Sequence, residues 1–190
     1  MARKTKEDSI ATRSRLIDAA EQVFAEKGVS RASLGEIARV AGATRGAIYW
    51  HFQDKVDLFG AMMDRVTLPL EQGHGELEGS TCVDPVRRLR AVLALVLRNV
   101  ASDERTCRVF EIALYKVEYV GELVGVRDRH VAAAGQFIRQ LAQDLELAAR
   151  LQQVVLPMAP TDAAVGLHAL FDGLIRNWIL NGGVGDLINV

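Results

Sequence analysis

Residues 33–52 read Ser33-Leu34-Gly35-Glu36-Ile37-Ala38-Arg39-Val40-Ala41-Gly42-Ala43-Thr44-Arg45-Gly46-Ala47-Ile48-Tyr49-Trp50-His51-Phe52, and this stretch decides the fold. Leu34, Ile37, Ala38 and Ala41 recur at i, i+3, i+4 and i+7, the spacing of one apolar helix face. Ser33, with Glu36 three residues on, forms a capping-box pattern at the start of that helix. Gly42 stands where a sharp turn needs left-handed backbone. A second short helix opens near Thr44 and carries Ile48 and Phe52 on its inner side. Two short helices joined in this way predict a helix-turn-helix. Its second helix is expected in the major groove of duplex DNA, N-terminal residues toward the bases.

Working outward, helical periodicity continues in both directions. Before the motif, Ile10, Leu16, Ile17, Ala20, Val23 and Phe24 form a stripe, and Gly28 is placed as a helix stop. After it, Asp54 is placed to cap a helix carrying Val56, Leu58, Phe59, Met62, Met63, Val66 and Leu70. From Glu71 to Asp84 the pattern weakens, and Gly73, Gly75, Gly79 and Ser80 predict a frayed end and a loop. Asp84-Pro85 reads as N-cap and first-turn proline of a helix to about Val100. Ser102 is expected to cap the next, ending near Val120 and Gly121. A long helix from about Val124 to Gln153 has Val131, Phe137, Ile138, Leu141 and Leu145 inward. Pro157 and Pro160 break the chain, and a last strong helix covers about Asp162 to Leu180, stopped by Gly182 and Gly183. No period-two alternation survives anywhere, so the expected fold is all-α. Two domains are expected: a three-helix helix-turn-helix domain over residues 1–53 and a larger helical body over residues 54–190.

Composition bounds the partners. With 49% hydrophobic residues the chain can build a real core, and a formal net charge of −1 does not by itself mark a polyanion binder. The distribution says more: residues 1–60 hold ten Lys or Arg against eight Asp or Glu, so the excess of acid lies in the rest of the chain. Arg3, Lys4, Lys6, Arg13 and Arg15 concentrate the basic charge at the start, either as a phosphate-meeting arm or as an ordinary solvated tail. Cys82 and Cys107 show no metal-binding or CxxC spacing, which fits two free thiols in a reducing cytoplasm. The longest apolar run, Ala91 to Leu97, is too short to span a bilayer, so no membrane partner is expected.

The second helix of the motif is dense in groups that meet nucleic acid. Arg45 has the fork geometry for guanine O6 and N7. Gly46 lets backbone approach closely, while Thr44, Tyr49 and His51 offer donors to phosphate. Lys55 lies in the first turn of the following helix, where free N–H groups already favour a phosphate. Tyr49, Trp50 and His51 exposed together have no packing rationale.

The stretch from Gly28-Val29 through Ser33-Leu34, Ile37-Ala38, Ala41-Gly42 and Thr44 to Phe52, ending at Lys55, resembles the TetR family of bacterial repressors. Within that family it is most similar to the AcrR-like regulators of multidrug efflux pumps. A weaker likeness covers Phe110-Glu111-Ile112 to Glu118 and Asp172 to Trp178. The resemblance implies a homodimer that represses by binding a pseudo-palindromic double-stranded operator. It also implies a C-terminal domain holding a pocket for a hydrophobic small-molecule effector. DNA contacts are then expected from Arg3, Lys4, Ser33, Thr44, Arg45, Gly46, Tyr49, Trp50, His51 and Lys55. The pocket is expected among Val66, Leu70, Leu89, Val92, Val96, Phe110, Leu114, Phe137, Leu141, His168, Phe171 and Asp172, whose apolar members serve equally as plain core. His168 and Asp172, four apart, either orient a ligand or form an exposed pair.

The dimer interface is expected from the last two helices, with Leu174, Trp178 and Leu187 as apolar candidates. Family members finish with a full final helix, whereas Asp186 to Val190 are expected to reach only about one turn into it, leaving the last helix incomplete. The helix that begins at Lys55 is expected to link the DNA contact to the pocket as a lever.

Rival classes find little support. No G-x-S-x-G, HExxH or phosphate loop is present, so an enzyme is not expected. The four histidines are scattered, so neither a metal nor a cofactor is expected. A helical scaffold protein remains the third class, separated from a regulator by salt-dependent binding of duplex DNA.

Overall fold

A computed structural model describes residues 6–78 and 84–188, and their side chains except those of residues 68–78. Among the described residues there are eight α-helices and one 3-10 turn, and no strand. They are α1 (Lys6–Lys27), α2 (Leu34–Val40), α3 (Arg45–His51), α4 (Lys55–Glu78), α5 (Pro85–Ser102), α6 (Glu104–Tyr115), α7 (Val124–Gln152) and α8 (Pro160–Leu180), with the 3-10 turn at Gly121–Leu123. The all-α expectation holds. No helix among these residues is long and apolar enough to cross a membrane.

The chain forms two compact units, neither continuous in sequence. One takes residues up to Val66 together with Arg108–Arg127; the other takes Thr67–Cys107 and Asp128–Val190. In the first, Leu16, Ile17, Val23 and Phe24 of α1 pack with Ile37, Ile48, Phe52, Leu58 and Met62, and α6 adds Val109 and Ile112 to the same core. Arg65 fastens α4 to α1: it donates to the Asp18 carboxylate at 2.6 Å and to the backbone carbonyl and hydroxyl of Ser14 at 2.9 and 2.8 Å. The chain turns out of α1 at Gly28, whose φ of +80° disfavours any side chain, and an added Cβ would lie 3.3 Å from the Lys116 carbonyl. That carbonyl accepts the Val29 N–H at 2.8 Å, so residue 116 closes the corner after α1.

In the second unit Leu89 of α5, Leu141 of α7 and Ala164 of α8 are buried together, flanked by Phe137, Ile138, Leu145 and Leu167. Beside them Asp144, almost wholly buried, pairs with Arg88, whose Nε donates at 3.3 Å alongside a closer contact from its terminal nitrogen.

Caps explain the helix ends. Asp84 accepts from the Val86 N–H at 3.0 Å with Pro85 at the first helical position, as the sequence predicted. Asp103, not Ser102, caps α6. Ser102 is the last residue of α5 and donates its hydroxyl to the Arg98 carbonyl, so its side chain is already engaged in the preceding turn. Bonds from the Thr106 hydroxyl and backbone N–H hold the Asp103 carboxyl below its ordinary range. α6 ends at Tyr115, and the 3-10 turn intervenes before α7.

Other expectations shift in physical detail. α4 continues past Gly73 and Gly75 to Glu78, since a glycine costs about 1 kcal/mol in a helix already propagating and does not end it. Residues 79–83, Cys82 and the rest of the expected loop among them, lie outside the described residues. Pro160 opens α8 instead of breaking the chain, because its missing N–H falls where no helical partner exists. Ile10 and Val131 keep the apolar period yet are 61% and 63% exposed, Ile10 in the first turns of α1 and Val131 in an exposed stretch of α7 between the buried Val126 and Leu141. After α8 no further helical turn forms among the described residues. Asp186 there accepts the Ile188 N–H in a local turn.

Candidate functional site

The helix-turn-helix is built by caps and one buried anchor. Ser33 accepts from the Glu36 N–H at 3.2 Å, starting α2. The Glu36 carboxylate pairs with Lys27 rather than reaching back, so only half of the predicted box forms. α2 ends in a Schellman motif: the Ala43 N–H donates to the Ala38 carbonyl and that of Gly42 to Arg39, with Gly42 at φ +64°. Thr44 then accepts from the Ala47 N–H at 3.2 Å and starts α3. Ile48 is the one residue of α3 that is buried, and Phe52 just beyond it is buried as well.

Ala47 and His51 are half-buried, and the Nε2 of His51 is itself buried, so this imidazole is not laid open as the sequence predicted; the remaining residues of α3 face away from that anchor. Arg45 and Gly46 are exposed, Tyr49 is 50% exposed and Trp50 72%. A Cβ added at Gly46 would meet nothing closer than 4.0 Å, so the fold does not demand glycine there. The guanidinium of Arg45 lies over the Tyr49 ring, 5.9 Å from its centroid. Trp50 and His51 meet edge to face at 4.6 Å. Ser33 and Thr44 spend an acceptor lone pair on capping and keep their hydroxyl protons to donate. α3 thus presents a guanidinium fork, two aromatic rings and a smooth backbone patch. That inventory suits base edges and phosphates.

Lys55 sits differently from expectation. Its side chain turns inward, leaving the residue 8% exposed. The ammonium donates to the carbonyls of Ser30 at 3.0 Å and Ala32 at 3.2 Å and pairs with Glu122 at 3.0 Å. All three of its protons are engaged, so it staples the loop before α2 to the start of α4. Asp54 caps α4 by accepting the Asp57 N–H at 2.8 Å, as the sequence predicted. Ser33, Arg45, Tyr49, Asp54, Lys55 and Glu122 line a cleft of about 490 Å³. Arg3 and Lys4 lie outside the described residues.

Two contributors have roles that the sequence did not reveal, Arg13 having read only as part of the basic start and Glu122 not at all. Arg13 of α1 places its guanidinium 5.1 Å from the centre of the Phe52 ring, bracing the exit of α3. Glu122 comes from the 3-10 turn far along the chain.

The residues expected at the effector pocket divide between the two units. Leu89 and Leu141 are buried together with Phe137 against them. The Phe137 ring meets His168 at 6.0 Å and Phe171 at 6.4 Å. Val92 is buried and Val96 half-buried in the same unit. Asp172 pairs with Arg176 at 2.6 Å, one turn on, so it is not the partner of His168. Val66 belongs to the core of the first unit, and Phe110 packs against that core. Leu114 is half-buried in the first unit as well. The side chain of Leu70 lies outside the described residues.

Comparison with known proteins fits this geometry. Residues 16–62 match the family model described as bacterial regulatory proteins, tetR family. Residues 84–189 match that of the C-terminal region of MAATS-type transcriptional repressors. The HTH-type transcriptional regulator AcrR of Shigella flexneri is 35% identical, covering 94% of this chain and 83% of its own length. The structure of NalD, the secondary repressor of the MexAB-OprM multidrug efflux pump in Pseudomonas aeruginosa, superposes with a TM-score of 0.86 at 36% identity. It covers 97% of this chain and 91% of its own. SmeT, the repressor of the Stenotrophomonas maltophilia pump SmeDEF, was solved with triclosan; that complex matches with a TM-score of 0.83 at 32% identity, covering 94% and 85%. With both of its regions matched and relatives aligned over nearly their whole length, the chain belongs to the TetR family of bacterial transcriptional regulators.

Proposed function

We propose that this protein represses a multidrug efflux operon, binding a pseudo-palindromic operator as a homodimer and leaving it when a hydrophobic small molecule binds. The observation that carries the reading is α3, held by Ile48 while Arg45, Gly46, Tyr49 and Trp50 stand exposed. Arg45 reads a guanine, Trp50 and Gly46 lie against the groove, and Ser33, Thr44 and Tyr49 donate to phosphates.

For the dimer, support comes from α8, whose Val165, Leu170 and Leu180 are exposed apolar groups along one long helix. Of the expected interface residues, Leu187 is buried within the chain and Trp178 donates its indole N–H to the Gly185 carbonyl at 3.0 Å. Those two are internal braces, which leaves the outer face of α8 for the partner. For the effector, support comes from the Phe137, His168 and Phe171 rings beside the Asp172–Arg176 pair. An apolar wall with a few oriented polar groups is how such pockets select ligands.

The test is selection of duplexes from a random library by the purified protein, followed by titration with triclosan. Recovery of an inverted-repeat sequence, released by the drug, is the expected result. Recovery of no sequence preference overturns operator recognition; recovery without release overturns the effector role for this ligand class.

A further inference from the structure

We propose that Glu122 is a positioning residue that holds down the DNA affinity of the helix-turn-helix by occupying the ammonium of Lys55. The inference rests on the DNA-binding reading above. Lys55 lies at the start of α4, behind the cleft that Arg45, Tyr49 and Ser33 also line, and its ammonium has three protons. Two go to the carbonyls of Ser30 and Ala32, which are neutral and fixed in the loop. The third goes to the Glu122 carboxylate at 3.0 Å.

Those partners differ in what they do to charge. Carbonyls hold the ammonium in place without cancelling it, whereas a carboxylate at that distance neutralises it. The cleft therefore faces a phosphate with Arg45 alone among its cations uncancelled by a contact within the cleft, against the carboxylate of Asp54. Glu122 is also the exposed member of its pair, with a side chain 62% exposed where that of Lys55 is 10% exposed. Nothing in the packing demands an acid there, since the 3-10 turn is seated by the buried Leu123 next to it. An acid that is free to leave and cancels the one buried cation beside the DNA-facing helix acts as a brake.

Removing the charge alone tests this. Glu122→Gln keeps the shape and can still accept from Lys55, so the staple survives while one positive charge is uncovered. Glu118→Gln, an exposed acid on the same connection outside the cleft, changes net charge equally and serves as the control. Affinity for a short mixed-sequence duplex is measured by fluorescence anisotropy over a range of salt concentrations. Glu122→Gln is expected to bind several-fold more tightly at about 0.1 M salt. Its log–log salt slope should steepen, by up to about 0.9 per protomer, the value for one phosphate fully neutralised. Glu118→Gln should shift affinity less and leave the slope unchanged.

If both variants behave alike, Glu122 contributes only to overall charge and the brake is wrong. If the wild type shows no salt-dependent binding at all, DNA binding itself fails, a distinct result. Should Glu122→Gln melt early by circular dichroism, Glu122→Ala below its midpoint gives the same readout. Weaker binding by a folded Glu122→Ala would make Glu122 a support and also overturn the brake.

Discussion

On the outer face of α3 the Arg45 guanidinium lies over the Tyr49 ring at 5.9 Å, the two residues one helical turn apart. The stack restricts the arginine before DNA arrives, which would lower the cost of presenting its fork to the guanine proposed for it. Arg45→Ala is expected to cost about 1–3 kcal/mol against a selected operator and to relax base preference at one position per half-site. Anisotropy against operator and scrambled duplexes checks it. Equal losses on both would move Arg45 to the phosphates.

Thr44 has a structural duty that can be separated from any DNA contact. Thr44→Ala removes the cap of α3 and should lower stability by about 1 kcal/mol in urea titration. Thr44→Ser keeps the cap, so its stability should stay close to that of the wild type. An unchanged midpoint in the alanine variant would show that α3 is positioned by Ile48 and Phe52 alone.

Arg88 and Asp144 offer a test of the second unit. Asp144→Leu leaves the Arg88 guanidinium largely buried beside a hydrocarbon, with an expected loss of about 3–5 kcal/mol. Pairing it with Arg88→Met removes the guanidinium as well, and the double variant should recover most of that loss. A double variant as unstable as the single one would mean that the pair is held by packing that hydrocarbon cannot reproduce.

In the proposed dimer the outer face of α8 meets the partner. Leu170→Glu and Val165→Glu place charge on exposed apolar positions and should leave the fold intact. Sedimentation at micromolar concentration is expected to find the parent dimeric and these variants monomeric. A dimer would present its recognition helices about 34–36 Å apart or a multiple of it. Dimers that persist in both variants would place the interface elsewhere.

Effector and DNA should each weaken the other by the same factor. Triclosan affinity measured with and without saturating duplex is expected to differ by about 1–3 kcal/mol. Binding of triclosan with equal affinity in both cases would remove the coupling.

What was legible in the sequence was local. Ser33, Gly42, Thr44 and Asp84-Pro85 declare caps and turns through neighbours within a few residues, and the periodic Ile37, Ala38 and Ile48 declare a buried face. Lys55 was legible as a helix-start cation but not as a staple, because its partners at Ser30, Ala32 and Glu122 are set by tertiary approach. The same holds for Arg13 over Phe52 and for Arg88 with Asp144, pairs with no shared period. Ile10 and Val131 mislead for the opposite reason: they obey the helical period on stretches that none of the described residues covers.

The discontinuity of the first unit bears on how the protein is made and re-engineered. Val109, Ile112 and Leu123 complete the core that α1 to α4 begin, and Lys116 closes the corner at Gly28. A ribosome that has released only the first 66 residues has therefore delivered a headpiece with an open hydrophobic side, which can mature only after residue 127 emerges. Chimeras that exchange recognition specificity between relatives by a single N-terminal splice would inherit a mismatched seam. Three crossovers, one after Val66 and one at each end of Arg108–Arg127, follow the grain of the molecule.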